Sequence, residues 1–152
     1  MGVSAWGKTM PLSAAEYDVL AAFRYMLRQF LSFSEKAAAD MGLTPQQYQA
    51  LLAVRAHRGP DPITITQLAA HMLVRHHSAV GMVDRLEEQR LVRRESVAAD
   101  RRKVGIRLTA RGQRVFDRLA SVHRRELRRI GPDFTRFMEY FARTPGSRAR
   151  AP

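Results

Sequence analysis

The segment Thr64-Ile-Thr-Gln-Leu-Ala-Ala-His-Met-Leu-Val-Arg-His-His-Ser-Ala-Val-Gly-Met-Val-Asp-Arg-Leu-Glu-Glu88 decides the fold. Thr64 with Gln67 three residues on is a capping box, and it opens a short helix through Leu68, Ala69 and Met72. A second helix starts near Arg75 and runs to about Gln89. It carries Ala79, Met82, Val83 and Leu86 at i, i+3, i+4 and i+7, one buried stripe. The period then drops to two. Val104, Ile106 and Leu108 alternate with Gly105 and Arg107, as in a half-buried strand, and Val92 to Ser96 supplies its partner. The connection 97–103 becomes the exposed tip of a β-hairpin. Two short helices followed by a basic hairpin predict a winged helix-turn-helix lobe over 44–108, in which the second helix enters a DNA major groove.

Upstream, Leu20, Phe23, Leu27, Phe30 and Leu31 recur at helical spacing, which predicts one long amphipathic helix over 12–41. Gly42 ends it, and Thr44-Pro45-Gln46-Gln47 caps a helix from Pro45 to about His57. Downstream, Thr109 caps a helix with Val115, Phe116, Leu119, Val122, Leu127 and Ile130 along a basic rod. Gly131-Pro132 is expected to end that helix. A separate short helix, 133–143, follows with Phe134, Phe137, Met138, Tyr140 and Phe141, too aromatic to stand uncovered. The fold class is therefore mainly α with a small β-hairpin wing. Residues 12–41 and 109–143 are expected to form dimerisation helices, and the Pro/Gly/Ser/Arg-rich tail 144–152 to be disordered.

Composition narrows the partner. The chain of 152 residues has a formal net charge of +12 and fits a single domain. Residues 1–74 hold 6 basic and 5 acidic groups, residues 75–118 hold 12 and 6, and residues 119–152 hold 8 and 3, so the excess begins at Arg75. Clustered Arg and Lys gain affinity for phosphates by releasing condensed counterions. The chain has no cysteine, which excludes thiolate metal sites, disulfides and thiol-based redox sensing. No segment has the length of a signal peptide's apolar core or a membrane span, so a soluble, cytoplasmic protein without a membrane partner is expected.

With the stripe of the second helix buried, Arg75, His76, His77 and Ser78 are the candidates for reaching base edges, with Val80 and Gly81 beside them. Arg donates bidentately to guanine, and neutral His or Ser bonds base edges or phosphates. His76 and His77 diverge by roughly 100° around the helix and lack a nearby Cys or carboxylate at ligand spacing, so no metal and no cofactor is expected. On the hairpin, Asp100, Arg101, Arg102 and Lys103 form the charged tip. Arg93, Arg94 and Arg107, with Arg55 on the earlier helix, are secondary candidates for backbone contacts.

Asp100-Arg101-Arg102-Lys-Val-Gly-Ile-Arg-Leu108-Thr109-Ala-Arg-Gly112 matches the pattern D-x-R-x5-L-T-x-x-G. In that pattern, and in Val83-Asp84-Arg85-Leu86-Glu87-Glu88, the chain resembles the multiple antibiotic resistance regulator (MarR) family from about Leu12 to Arg143. The resemblance implies a prokaryotic, nucleoid-associated transcriptional regulator, commonly a repressor. It also implies a homodimer through interleaved terminal helices, double-stranded DNA as partner, and a small aromatic or phenolic effector. Arg102 would reach into the minor groove, Asp100 would position it, and Arg101 and Lys103 would meet phosphates. Phe30, Phe33, Tyr48 and Met26 could line an effector cavity or simply be core. One departure stands out: the family carries Gly where this chain has Arg90.

Two other readings fit parts of the sequence. The +12 charge also suits a sequence-nonspecific architectural or RNA-binding protein, although no aromatic RNA-stacking motif accompanies it. An enzyme using His57, His71 or His123 as a base lacks any nucleophile elbow, phosphate loop or paired carboxylates. His71 and His123 read more simply as helix-surface or interface residues.

Overall fold

The computed structural model describes residues 11–98 and 100–143. Its element order is α1 (Ala14–Ala39), α2 (Pro45–Ala56), β1 (Ile63–Thr64), α3 (Ile65–His71), α4 (His76–Glu88), β2 (Val92–Val97), β3 (Asp100–Leu108) and α5 (Ala110–Arg143). Helix starts follow from local chemistry. Ser13 and Glu16 bond reciprocally across the first turn of α1, the Glu16 carboxylate accepting the Ser13 N–H at 2.7 Å. Thr44 with Gln47, and Thr64 with Gln67, complete capping boxes at α2 and α3.

The chain divides into two compact units: residues 32–126, and residues up to Leu31 together with those from Leu127 on. The core of the first is continuous, with Leu51, Leu68, Leu86, Ile106, Leu119, Val83 and Val92 at its centre. Its sheet is antiparallel in the order β1-β3-β2, with Ile63 opposite Ile106 and Val92 opposite Leu108. Sequence periodicity missed β1, because two residues are too few to show alternation. Gly105 is required where β1 approaches, since a Cβ there would lie 2.5 Å from the Pro62 side chain.

The hairpin tip differs from expectation. Strand pairing continues past Ser96, with an irregularity between Ser96 and Val97, and Val97 pairs with Asp100, so 97–103 is mostly strand rather than loop. Val104, expected on the buried face, is exposed. The short β1 pairs with Gly105 and Ile106, and among the described residues no third strand lies beside the hairpin beyond them.

Residues 109–143 also depart from expectation. Gly131-Pro132 does not break the chain, and α5 is one 34-residue helix with Pro132 inside it. Proline forfeits its own hydrogen bond to the preceding turn and crowds the residue before it. Here that residue is glycine, which has no Cβ to clash. Beyond the proline, Phe134 and Phe137 pack their rings on Phe23 at centroid distances of 6.1 and 5.9 Å, which favours continuation. Residues 144–152, expected to be disordered, lie outside the described residues.

Candidate nucleic-acid interface

Helix α4 buries Ala79, Met82, Val83 and Leu86, the stripe read from the sequence. Arg75, His76, His77 and Ser78 are all exposed at its start, and Val80 and Gly81 are half-buried. This end differs from those of α2 and α3. Arg75 occupies the N-cap without a side-chain hydrogen bond, whereas Thr44 and Thr64 cap theirs; as in α2 and α3, no acidic residue sits in the first turn. Neither a capping side chain nor an acidic residue therefore offsets the positive end of the helix dipole.

A cleft of about 560 Å³ runs between α3, α4 and β3, lined by Thr64, Ile65, Thr66, Gln67, His76, Lys103 and Val104. It brings together His76 from α4 and Lys103 from the hairpin, 27 residues apart in sequence. The side chains of Asp100, Arg101 and Arg102 lie outside the described residues.

The secondary arginines behave differently from one another. Arg94 is committed within the protein: its guanidinium meets Asp84 at 2.5 Å and also bonds the Glu87 carboxylate. Both acids lie on α4, so the pair of bonds ties β2 to the helix. Hydrogen bonding to Asp84, and less strongly Glu87, raises the Arg94 pKa although burial opposes it. Arg93 and Arg107 share Glu95, at 2.6 and 2.8 Å. Burial works against the charged Glu95 carboxylate, but hydrogen bonds and charge from both arginines outweigh it and hold its pKa below the ordinary value. Arg55 is exposed and lines a separate polar pocket with His57, Asp61 and Arg107.

The turn from α4 into β2 and the start of α5 are built as one joint. Arg90 takes a left-handed conformation, φ 58°, and the Arg90 and Leu91 N–H groups return to Glu87 and Leu86 carbonyls. This is the glycine-type helix ending, made here by an arginine. Thr109 Oγ1 donates to the Arg90 carbonyl at 2.6 Å and accepts the Gly112 N–H at 2.9 Å, while the Thr109 N–H reaches the Leu91 carbonyl. A Cβ at Gly112 would lie 1.8 Å from the Leu91 oxygen, so only glycine lets the first turn of α5 seat there. The L-T-x-x-G part of the motif is thus a packing joint.

His123, expected on a helix surface or interface, is buried instead. Nδ1 donates to the Leu119 carbonyl at 2.8 Å, Nε2 meets Ser34 Oγ, and Tyr48 stacks on the ring at 4.4 Å. Its flanks are aromatic, which apolar periodicity does not register. His71 is exposed, as read from the sequence. A separate apolar cavity of about 290 Å³ is lined by Phe33, Ala37, Met41, Leu119 and Val122, with Lys36 and Asp40 beside them. Of the four residues considered for an effector cavity, only Phe33 lines it. Tyr48 is packed against His123 and Phe116, and Met26 and Phe30 belong to the other unit.

The family model of the MarR family matches residues 41–103. The HTH-type transcriptional repressor NicR of Pseudomonas putida is 31% identical over 111 residues, covering 70% of this chain and 68% of that protein. The chain belongs to the MarR family. Another similar protein is the HTH-type transcriptional regulator PecS of Dickeya dadantii, 26% identical over 89 residues; the match covers 59% of this chain and only about half, 54%, of PecS. Among solved structures, AbsC, a MarR family transcriptional regulator from Streptomyces coelicolor, superposes with a TM-score of 0.67 at 25% identity, over 83% of this chain and 84% of that one. The MarR winged-helix fold places α3 and α4 as the helix-turn-helix and β2–β3 as the wing. No helix among the described residues is long and apolar enough to cross a membrane.

Proposed function

We propose that this MarR-family chain is a homodimeric, sequence-specific DNA-binding repressor, with α4 entering the major groove and the β2–β3 wing the minor groove. The observation that carries the reading is the uncapped start of α4. Its exposed Arg75, His76, His77 and Ser78 stand beyond a helix fixed by four buried residues, with Lys103 of the wing across a shared cleft. A rigid, basic, donor-rich edge of this kind suits the acceptors of a major-groove floor and its phosphates. At the wing, Arg102 is assigned to the narrow minor groove, whose negative potential attracts arginine, with Asp100 positioning it and Arg101 on a phosphate.

Dimerisation is supported by what the second unit leaves uncovered. Tyr17, Tyr25, Leu31, Leu127, Phe134 and Met138 are all exposed there, and a second copy of the same helices would cover them. Release by a small phenolic effector is part of the same proposal. The 290 Å³ apolar cavity, with Lys36 and Asp40 among its lining, has the size for an aromatic ring and polar groups to bond a phenolic hydroxyl.

The test is selection of genomic fragments with the purified protein at about 150 mM salt, followed by footprinting and a salt titration. A pseudo-palindromic site with half-sites roughly 34 Å apart is the expected result. Uniform retention of all fragments, with affinity collapsing as salt rises, would overturn it in favour of a nonspecific architectural protein. At the selected site, Arg102→Ala should weaken binding with the dimer still folded. Unchanged affinity would remove the wing assignment.

A further inference from the structure

Among the described residues, three helices end on a residue in the left-handed conformation, and one of the three has no local account. Gly42, φ 71°, ends α1, where glycine adopts that geometry without steric conflict. Arg90 ends α4 and is held there by Thr109 on its carbonyl. Leu73, φ 54°, ends α3, with its N–H on the Ala70 carbonyl at 3.2 Å and the Val74 N–H on Ala69 at 3.0 Å. A branched apolar side chain is a poor choice for this conformation. In such a turn the residue that packs back onto the helix is the next one, and here Val74 is half-buried. Leu73 itself is 93% exposed, far more than any other large apolar residue among those described, the next being 56%.

Leu73 is thus strained and wetted at once. Single exposed leucines are ordinary, but one that also strains the backbone gains nothing within the isolated chain. Its location supplies the reason. It lies two residues before Arg75, so its Cα is within about 7 Å of the α4 N-cap Cα, at the edge assigned to DNA. A leucine can neither donate to a phosphate nor read a base by hydrogen bonding. The apolar feature that a major groove offers is the C5-methyl group of thymine.

We propose that Leu73 is a base-reading residue that packs on a thymine methyl at the edge of the groove entered by α4. This rests on the DNA-binding reading above. It predicts opposite signs for folding and binding in one substitution. Leu73→Gly and Leu73→Asn relieve the left-handed strain and remove an exposed apolar group, so the melting temperature should rise by a few degrees. Affinity for the selected operator should fall about tenfold. The slope of log affinity against log salt should not change, because leucine releases no counterion.

The experiment compares wild-type protein, Leu73→Gly and Leu73→Asn on the selected operator and on a series with each thymine replaced in turn by deoxyuridine, which lacks only the methyl. One replacement per half-site should weaken the wild type about as much as the Leu73 substitutions do, and should cost those variants nothing further. Variants that bind like the wild type, or that lose equally at every deoxyuridine position the wild type does, would overturn the role of Leu73 while leaving operator binding intact. A wild-type protein that selects no site would overturn the DNA reading itself, and this role with it.

Discussion

The two units of the chain bury their apolar residues very differently. Within residues 32–126, side chains from every helix and strand of that unit close over one core, and the exposed large apolar residues are Met41, Leu52, Leu73 and Val104. In the other unit Met26 is the one buried apolar residue among those described, and nine large ones are exposed, including Leu12, Leu20 and Phe141. The same two long helices contribute to both units, so composition along a helix does not explain the contrast. What differs is the supply of neighbours: the winged lobe brings α2, α3, α4 and a sheet to its helices, whereas the described residues of the other unit are the ends of α1 and α5 and the short segment before α1. The lobe closes its own core, and the second unit leaves most of its large apolar side chains uncovered, which is what the proposed dimer would bury.

The largest break in that comparison should come from inside the lobe. Gly112→Ala sets a methyl 1.8 Å from a backbone oxygen, which no side-chain rotamer can relieve. Overpacking against backbone should cost about 3 kcal/mol or more, read as loss of the cooperative thermal transition or a fall of its midpoint by more than 10 °C. A variant of near wild-type stability would mean that α5 can reseat and that the joint is soft.

Next in size, Met138→Asp tests the other unit. Met138 is half exposed, so the substitution does little to a single chain, whereas a dimer would have to bury the new carboxylate among apolar groups. A desolvated charge of this kind should cost about 2–4 kcal/mol per interface, moving the dissociation constant by more than thirtyfold in sedimentation equilibrium. A variant that dimerises as tightly as the wild type would place the interface elsewhere.

How much of this was legible in the sequence varies with the kind of signal. Thr44 with Gln47 and Thr64 with Gln67 announced their helices because a capping box is a local contract between residues three apart. The α4 stripe was legible for the same reason: periodicity is local. Three features were not. The continuity of α5 through Pro132 depends on Phe23, more than 100 residues away, and no window around Gly131 contains that information. Burial of His123 depends on Tyr48 and Ser34. Arg94 looked like any basic wing residue until Asp84 and Glu87 were brought beneath it. The role of Leu73 was hidden differently, since exposure and a positive φ are both properties of the fold rather than of the residue.

The smallest expected effect is at Glu95, and it asks whether the charge on the wing is held in reserve. Arg93 and Arg107 both spend their guanidinium groups on this one carboxylate. Glu95→Gln removes the charge and keeps the shape. As partly exposed ion pairs, the two bonds should contribute under about 1 kcal/mol to stability. That contribution is present above the pKa of the unfolded carboxylate and is lost as pH falls through the lowered native value, so the variant should flatten the acid limb of the stability curve. Binding should move the other way. Two arginines released from an internal anion become available to phosphates, so affinity for the operator should rise roughly threefold and its salt dependence steepen by up to about two phosphate equivalents. A rise in affinity without a steeper salt slope would point to a change in wing position instead. No change in either would mean that the strands of the wing turn Arg93 and Arg107 away from DNA, leaving the tip and the start of α4 to carry the contact alone.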